Sequence, residues 1–261
     1  MRFCPLCSGS SGNSTYLEAG NARLLVDAGL SCKRITELLR SVGGDPASLT
    51  AILITHDHSD HIKGVNILSK KYDLPVYANT EVWSRMQNVL PDVAPKNVCV
   101  FENDRPFFIG EVGVLPFRVH HDAAGTVGYV FTHRDHRAAI CTDTGHIDKR
   151  MLDALSGSDL VLLEANHDVD MLMAGGYPYP LKRRILSGTG HLCNEDCASA
   201  LVELYHRGVK SAILGHLSAE NNAPDIALIT VHAALDAAGI GDRMQIALAL
   251  RDRPTGIFEL A

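Results

Sequence analysis

Apolar residues along the chain fall into short runs bounded by turn residues, and these runs alternate with longer stretches of helical period. The runs predict strands at 2–6, 14–19, 23–27, 50–55, 97–101, 112–119, 127–133, 137–142, 159–164, 210–215 and 245–249. The helical spacing predicts helices at 32–42, 61–72, 80–89, 148–156, 178–187, 194–206 and 223–238. The helix at 194–206 carries a start signal, with Asn194 able to cap it and Glu195 and Asp196 in its first turn. No repeat, low-complexity tract or linker interrupts the pattern, so residues 1–261 are expected to form one domain. Consecutive strands in both halves, with helices interspersed, predict an α/β (α+β) class in which sheets pack together and helices cover them outside.

Several of the apolar runs end in a metal-binding or carboxylate residue: 23-RLLVD-27, 51-AILITH-56, 117-FRVHH-121, 138-AAICTD-143 and 211-SAILGH-216. If those strand ends lie at one edge of the sheets, their side chains converge in a cleft, where open sheets commonly hold ligands.

Composition narrows the classes. A hydrophobic content of 46% can supply a full core. No apolar run approaches the roughly 18 residues of a membrane span, and no basic stretch leads into a secretion signal at the N-terminus. Seven scattered cysteines, an odd number, fit reduced thiols and a cytoplasmic location better than a disulfide framework. Cys4 and Cys7, with no second pair, read as two buried thiols. The net charge of −6 opposes nonspecific wrapping of nucleic acid by a basic surface. Two bound divalent cations would bring it to about −2 and leave a locally positive site.

The densest chemistry is 54-ITHDHSDHIKG-64. His56 and His58 are two apart, so an extended or looping backbone can turn both to one side. Asp60 and His61, in the first turn of the next helix, can face a second position. Imidazole nitrogen and carboxylate oxygen suit zinc, manganese or iron. A hydrated helix-capping loop is the bland alternative, and H-x-H-x-D-H straight after a buried strand is a poor match to it.

This element resembles the signature of the metallo-β-lactamase superfamily, whose αββα sandwich of two mixed β-sheets flanked by helices carries metals at one edge. The later residues follow the superfamily's order: His121 in HHDA, Asp143 in TDTG and His216 in LGHLS. The resemblance implies one divalent metal held by His56, His58 and His121 and a second by Asp60, His61 and His216. It further implies that Asp143 bridges the two and that Asp27, in LLVDAG, supports a ligand histidine from behind. SGSSGNS, THDHSDHIKG, HHDAAG, TDTGH, EANHD, YPLKRRILS, GHLCNED and GHLSAENN together are similar to the WalJ/YycJ branch of DNA exonucleases. His146 and Cys193 depart from that branch's pattern.

Such a site implies a hydroxide shared between two metals that attacks phosphorus, with Asp60, Asp143 and His191 carrying the reaction. His191, in a Gly-flanked turn before a capped helix, is the best proton donor for the leaving group; relatives of ribonuclease Z place a histidine similarly. Glu164 and His167 follow another buried strand and are expected either to support the ligands or to touch substrate. Lys182, Arg183 and Arg184 offer a basic cluster for the DNA backbone, with a solvated helix face as the equal alternative. Ser10 and Asn13 lie in the turn 8-SGSSGNS-14, whose amides and hydroxyls suit a phosphate. The expected protein is a dinuclear phosphodiesterase, a DNA exonuclease with 5′-to-3′ polarity by resemblance, with no organic cofactor and no membrane contact. Hydrolysis of a small phosphodiester, thioester or lactone on the same site is the rival reading.

Overall fold

Two sheets of seven strands each pack face to face, and the order of their strands brings Asp27, His56, His121, Asp143, Glu164 and His216 to one rim. The structure, a computed structural model, describes residues 1–260. The first half supplies β1 (Arg2–Cys7), β2 (Ser14–Ala19), β3 (Ala22–Val26), β4 (Ala51–Leu53), β5 (Val76–Asn79) and β6 (Val98–Phe101). The second supplies β7 (Phe107–Ile109), β8 (Val112–Arg118), β9 (Val127–His133), β10 (His136–Cys141), β11 (Leu160–Glu164), β12 (Ser211–Gly215) and β13 (Gln245–Leu248). A final strand, β14 (Phe258–Glu259), returns to pair with β1 in the first sheet. The helices are α1 (Cys32–Ser41), α2 (Ser59–Ile62), α3 (Val65–Tyr72), α4 (Thr80–Met86), α5 (Lys149–Leu155), α6 (Val169–Ala174), α7 (Tyr179–Ile185), α8 (Asn194–His206) and α9 (Pro224–Ala237). None is long and apolar enough to cross a membrane.

Both faces of each sheet are buried, which is why the strands read as near-continuous apolar runs rather than clean alternation. Leu24 and Leu53 of the first sheet meet Tyr129, Phe131, Leu162 and Ile213 of the second in a central core. The neighbours of opposite parity, Leu25 and Ile52, pack outward with Ile35, Leu39 and Leu68 of α1 and α3. On the far side Ala212 and Leu214 pack with Leu201, Leu204 and Val231 of α8 and α9. The result is the predicted αββα sandwich.

β3 through β6 run parallel in the first sheet, and β10 through β13 run parallel in the second. The carboxyl ends of these parallel strands open onto one rim, the usual location for a ligand site in such sheets. Tyr129 ties the two sheets together there: its hydroxyl donates to the Ile54 carbonyl at 2.6 Å.

Some elements differ from the sequence expectation. The helix expected at 61–72 is two, α2 and α3, because the 28–30 loop wedges between them. Gly64 donates its N–H to the Ala28 carbonyl at 2.7 Å, and a Cβ on Gly64 would lie 2.4 Å from the Leu30 carbonyl oxygen. The strands β5, β7 and β14 and the helix α6 are additional to the predicted set. They are two to six residues long, too short for a periodic signal. Asn194 does not cap α8. Cys193 occupies the cap, its Sγ accepting the Asp196 N–H at 3.4 Å, while Asn194 is buried in a reciprocal amide pair with Asn222.

Gly29 sits where the loops interlock. A Cβ there would lie 1.6 Å from the Asp60 carbonyl oxygen. Gly29→Ala is expected to displace the 60–61 backbone and destabilise the fold by about 2–3 kcal/mol. Urea unfolding measures the loss; a midpoint equal to that of the parent would contradict this packing.

Candidate metal centre and active site

Most of the site residues leave the end of a strand, while His58 precedes α2 and Asp60 and His61 lie in its first turn. Asp27 follows β3, His56 lies just beyond β4, His121 beyond β8, Asp143 beyond β10 and His216 directly after β12, while Glu164 closes β11. Asp27, Asp143 and His216 have φ of 61°, 57° and 55°. Left-handed backbone at a residue other than glycine costs on the order of 1–3 kcal/mol and concentrates at functional sites. Here it lets the chain reverse sharply as the strand ends.

His56, His58 and His121 form one cluster. His56 Nε2 lies 3.0 Å from His58 Nδ1, and His121 Nε2 lies 3.4 Å from the same atom. The outer nitrogens are occupied: His121 Nδ1 donates to the Gly190 carbonyl at 3.1 Å, and His56 Nδ1 sits 3.0 Å from Thr55 Oγ1. Burial, reinforced at His56 by neighbouring His61, pushes the pKa values of His56 and His121 down, so both rings favour their neutral form. The ring nitrogens left facing one another are lone-pair donors for a cation.

His61 is aimed by Asp27. Thr55 donates to Asp27 through its N–H at 2.9 Å and its hydroxyl at 2.8 Å, and His61 Nδ1 donates to Asp27 Oδ2 at 2.8 Å. That leaves His61 Nε2 facing Asp60 Oδ2 and Asp143 Oδ2, each at 3.5 Å. Asp143 Oδ1 lies 3.0 Å from His216 Nδ1. Asp143 Oδ2 is buried with no hydrogen-bond partner among the described residues, and His216 Nδ1, although close to Asp143 Oδ1, is not aligned for a hydrogen bond with it. Buried polar atoms without partners are rare and costly, and a cation would satisfy both. The donor set, imidazole nitrogen with carboxylate oxygen, fits a divalent metal.

Asp143 belongs to two clusters, one with His56 and His61 and one with Glu164, His191 and His216. Burial opposes its charge, but His216 and His61 outweigh burial and hold the carboxyl well below the usual range. In return Asp143 raises His61 and His216 against their own burial. Asp60 stands at the edge of this group, its Oδ2 accepting from Asn13 Nδ2 at 3.2 Å.

Glu164, fully buried, holds His191: its Oε1 accepts from His191 Nδ1 at 2.7 Å and its Oε2 from the Thr144 N–H at 2.8 Å. Burial works against the imidazolium, yet the Glu164 carboxylate prevails and lifts His191 to about 9. The turn carrying His191 is fastened from two sides, by His121 at Gly190 and by His146, whose Nδ1 donates to the Gly188 carbonyl at 2.8 Å. His167 is buried with both ring nitrogens unpartnered among the described residues, and burial lowers its pKa to about 4.

The basic cluster is arranged differently from the expectation of three cations facing substrate. Lys182 Nζ donates to the Met173 and Gly175 carbonyls at 2.7 and 2.8 Å and fastens the end of α6. Arg184 is paired with Asp122, Nη2 to Oδ1 at 3.1 Å, beside His58 and His121. Arg183 is exposed and has no ion-pair partner among the described residues. Ser10 is exposed at the tip of its turn, while Asn13 is buried against Asp60 and His61. Thr55 and Asp122 were missed as site residues. Thr55 reads as an ordinary strand residue, and the signal for Asp122 is its place directly after a candidate ligand, His121.

The sequence and the fold match known proteins. The profile of the Beta-lactamase superfamily domain matches residues 22–217, and the chain belongs to this superfamily as a metallo-β-lactamase-fold hydrolase. It is 44% identical over 243 residues to Exodeoxyribonuclease WalJ of Streptococcus pneumoniae, covering 92% of this chain and 90% of the relative. It is 40% identical over 241 residues to Exodeoxyribonuclease YycJ of Bacillus anthracis, covering 92% and 91%. Among solved structures, Zn(2+)-bound PqqB from Methylobacterium extorquens superposes with a TM-score of 0.75 at 18% identity over 100% of both chains. The metallo-beta-lactamase fold protein YhfI from Bacillus subtilis gives 0.72 at 17%, covering 97% of this chain and 98% of its own. At those identities the two structures share the fold.

Proposed function

We propose that the protein is a DNA exonuclease working on two divalent cations, with 5′-to-3′ polarity. The observation that carries this reading is Asp143, which shares one cluster of ligand atoms with His56 and His61 and another with His216. His56, His58 and His121 would hold one cation, and Asp60, His61 and His216 the second, with Asp143 shared. Bound there, such cations supply Lewis acidity toward a phosphoryl oxygen and bring the pKa of water toward neutrality. The similarity to exodeoxyribonucleases over nine-tenths of the chain supports DNA as the substrate.

The protein's own groups have separate tasks. Asp27 fixes the His61 tautomer by accepting from Nδ1, and Thr55 fixes Asp27 in turn. Glu164 keeps His191 protonated, so its Nε2 can pass a proton to the departing sugar oxygen. Arg183, exposed and without an ion-pair partner among the described residues, would contact the DNA backbone.

The test is the metal-loaded protein on linear DNA labelled at either end, alongside bis(p-nitrophenyl) phosphate and a thioester. Early release of the 5′ label, with strong inhibition by salt on DNA alone, is expected. Release of the 3′ label first would reverse the polarity, and turnover confined to the small diester or thioester would replace DNA as substrate.

A further inference from the structure

We propose that Arg251 and the 9–12 turn form a subsite for the terminal 5′-phosphate of the DNA end, beside the metal centre. This rests on the exonuclease reading above, in which the nucleotide to be removed carries the 5′ end.

Arg251 is the cation that the basic-cluster expectation overlooked. Its Nη2 donates to the Leu217 carbonyl at 2.8 Å, and it has no carboxylate within ion-pair distance among the described residues. The side chain is half-buried on the wall of a cavity of about 310 Å³, shared with Ser8, Leu217, Ser218 and Ala219. That wall is continuous with the proposed ligands: Ser8 Oγ accepts the His216 N–H at 2.9 Å, and Leu217 and Ser218 carry the backbone onward from His216.

The turn runs from that contact to the second acidic ligand. At its far end the Asn13 N–H donates to the Asp60 carbonyl at 2.8 Å, and Asn13 Nδ2 donates to Asp60 Oδ2 at 3.2 Å. Between these anchors Ser10 and Ser11 are exposed, and their amides donate to no protein acceptor among the described residues. Gly9 allows the guanidinium to lie against this turn: a Cβ there would be 3.4 Å from both Arg251 Nη1 and the Leu217 carbonyl oxygen. A fixed guanidinium without an acidic partner, lying against Gly9 of a tight turn whose next two amides are unpaired among the described residues, has the makings of an anion receptor. A terminal phosphate carries up to two charges where a diester carries one, so a receptor of this kind favours the phosphorylated end.

The experiment compares kcat/KM of the metal-loaded enzyme on 5′-phosphorylated and 5′-hydroxyl oligonucleotides of one sequence, for the parent, Arg251→Ala and Arg251→Lys. The parent should prefer the phosphorylated end by about tenfold or more, mostly through KM, with Arg251→Ala reducing the preference to within about twofold. Arg251→Lys, which keeps a donor for the Leu217 carbonyl, should retain part of it. Inorganic phosphate should inhibit the parent more strongly than Arg251→Ala. Equal rates on the two ends in the parent, or a preference that survives in Arg251→Ala, overturns the subsite and leaves the nuclease reading standing. No turnover of either oligonucleotide overturns both.

Discussion

Asp143→Asn is expected to abolish hydrolysis, with kcat/KM on DNA falling on the order of 10³-fold or more, about 4 kcal/mol of transition-state stabilisation. The two side chains have nearly the same shape, so the fold has no steric reason to change. What changes is charge and hydrogen-bonding sense. Asp143 is buried between His61 and His216 and offers one oxygen to each. An amide presents one weak acceptor and one donor, and the donor replaces an oxygen that faced ligand nitrogens. Both proposed cation positions lose their shared anion together. Metal content, measured by elemental analysis, should therefore drop along with turnover. Affinity for uncleaved DNA should stay within about threefold, because phosphate contacts away from Asp143 supply most of it. In the metal-free protein, His61 and His216 should titrate at lower pH in the variant, since Asp143 is the largest of the charges that raise each of them. Turnover that persists at full metal content would remove Asp143 from its assigned position.

Much of this was legible because most candidate ligands sit where strands stop. An apolar run followed by Asp27, His56, Asp143 or His216 is readable without coordinates, and the parallel strands gather those ends at one rim. The left-handed φ at three of these residues was not readable, because Asp and His carry no mark that distinguishes αL from ordinary backbone. Three adjacent basic residues say nothing about their acceptors either. Lys182 finds carbonyls of the preceding helix, and Arg184 finds Asp122 across the cleft, contacts set by tertiary packing. Arg251 was invisible for the same reason: it lies far along the chain from the turn it touches, in a segment without any motif. The split between α2 and α3 follows the same rule, since the wedge that breaks the helical pattern comes from residues 28–30.

Removal of the proposed proton donor, His191, should have the second-largest effect. His191→Ala is expected to lower kcat on DNA by about 10²–10⁴-fold, the range for a positioned general acid. Glu164→Gln should act through the same atom more mildly and in a pH-dependent way. Glu164 serves two donors, His191 Nδ1–H and the Thr144 N–H, with two carboxylate oxygens, whereas a glutamine has a single acceptor oxygen. The main charge that lifts His191 to about 9 also disappears, leaving burial opposed only by the weaker pull of Asp143 and Asp122. A donor must be protonated to act, so the alkaline limb of the kcat profile should move to lower pH in Glu164→Gln. Bound cations lower the starting value in both proteins and leave the direction unchanged. Stability shifts with the same sign: a raised folded-state pKa contributes stability in full below the unfolded value of 6.5, lost as pH rises toward about 9. The alkaline loss of stability should therefore shrink in the variant. A structural defect would also slow turnover, so the decisive comparison is the leaving group. Nitrophenolate departs without a proton, and bis(p-nitrophenyl) phosphate should lose far less rate than DNA in His191→Ala. Equal losses on both substrates would mean that His191 shapes the site without donating the proton.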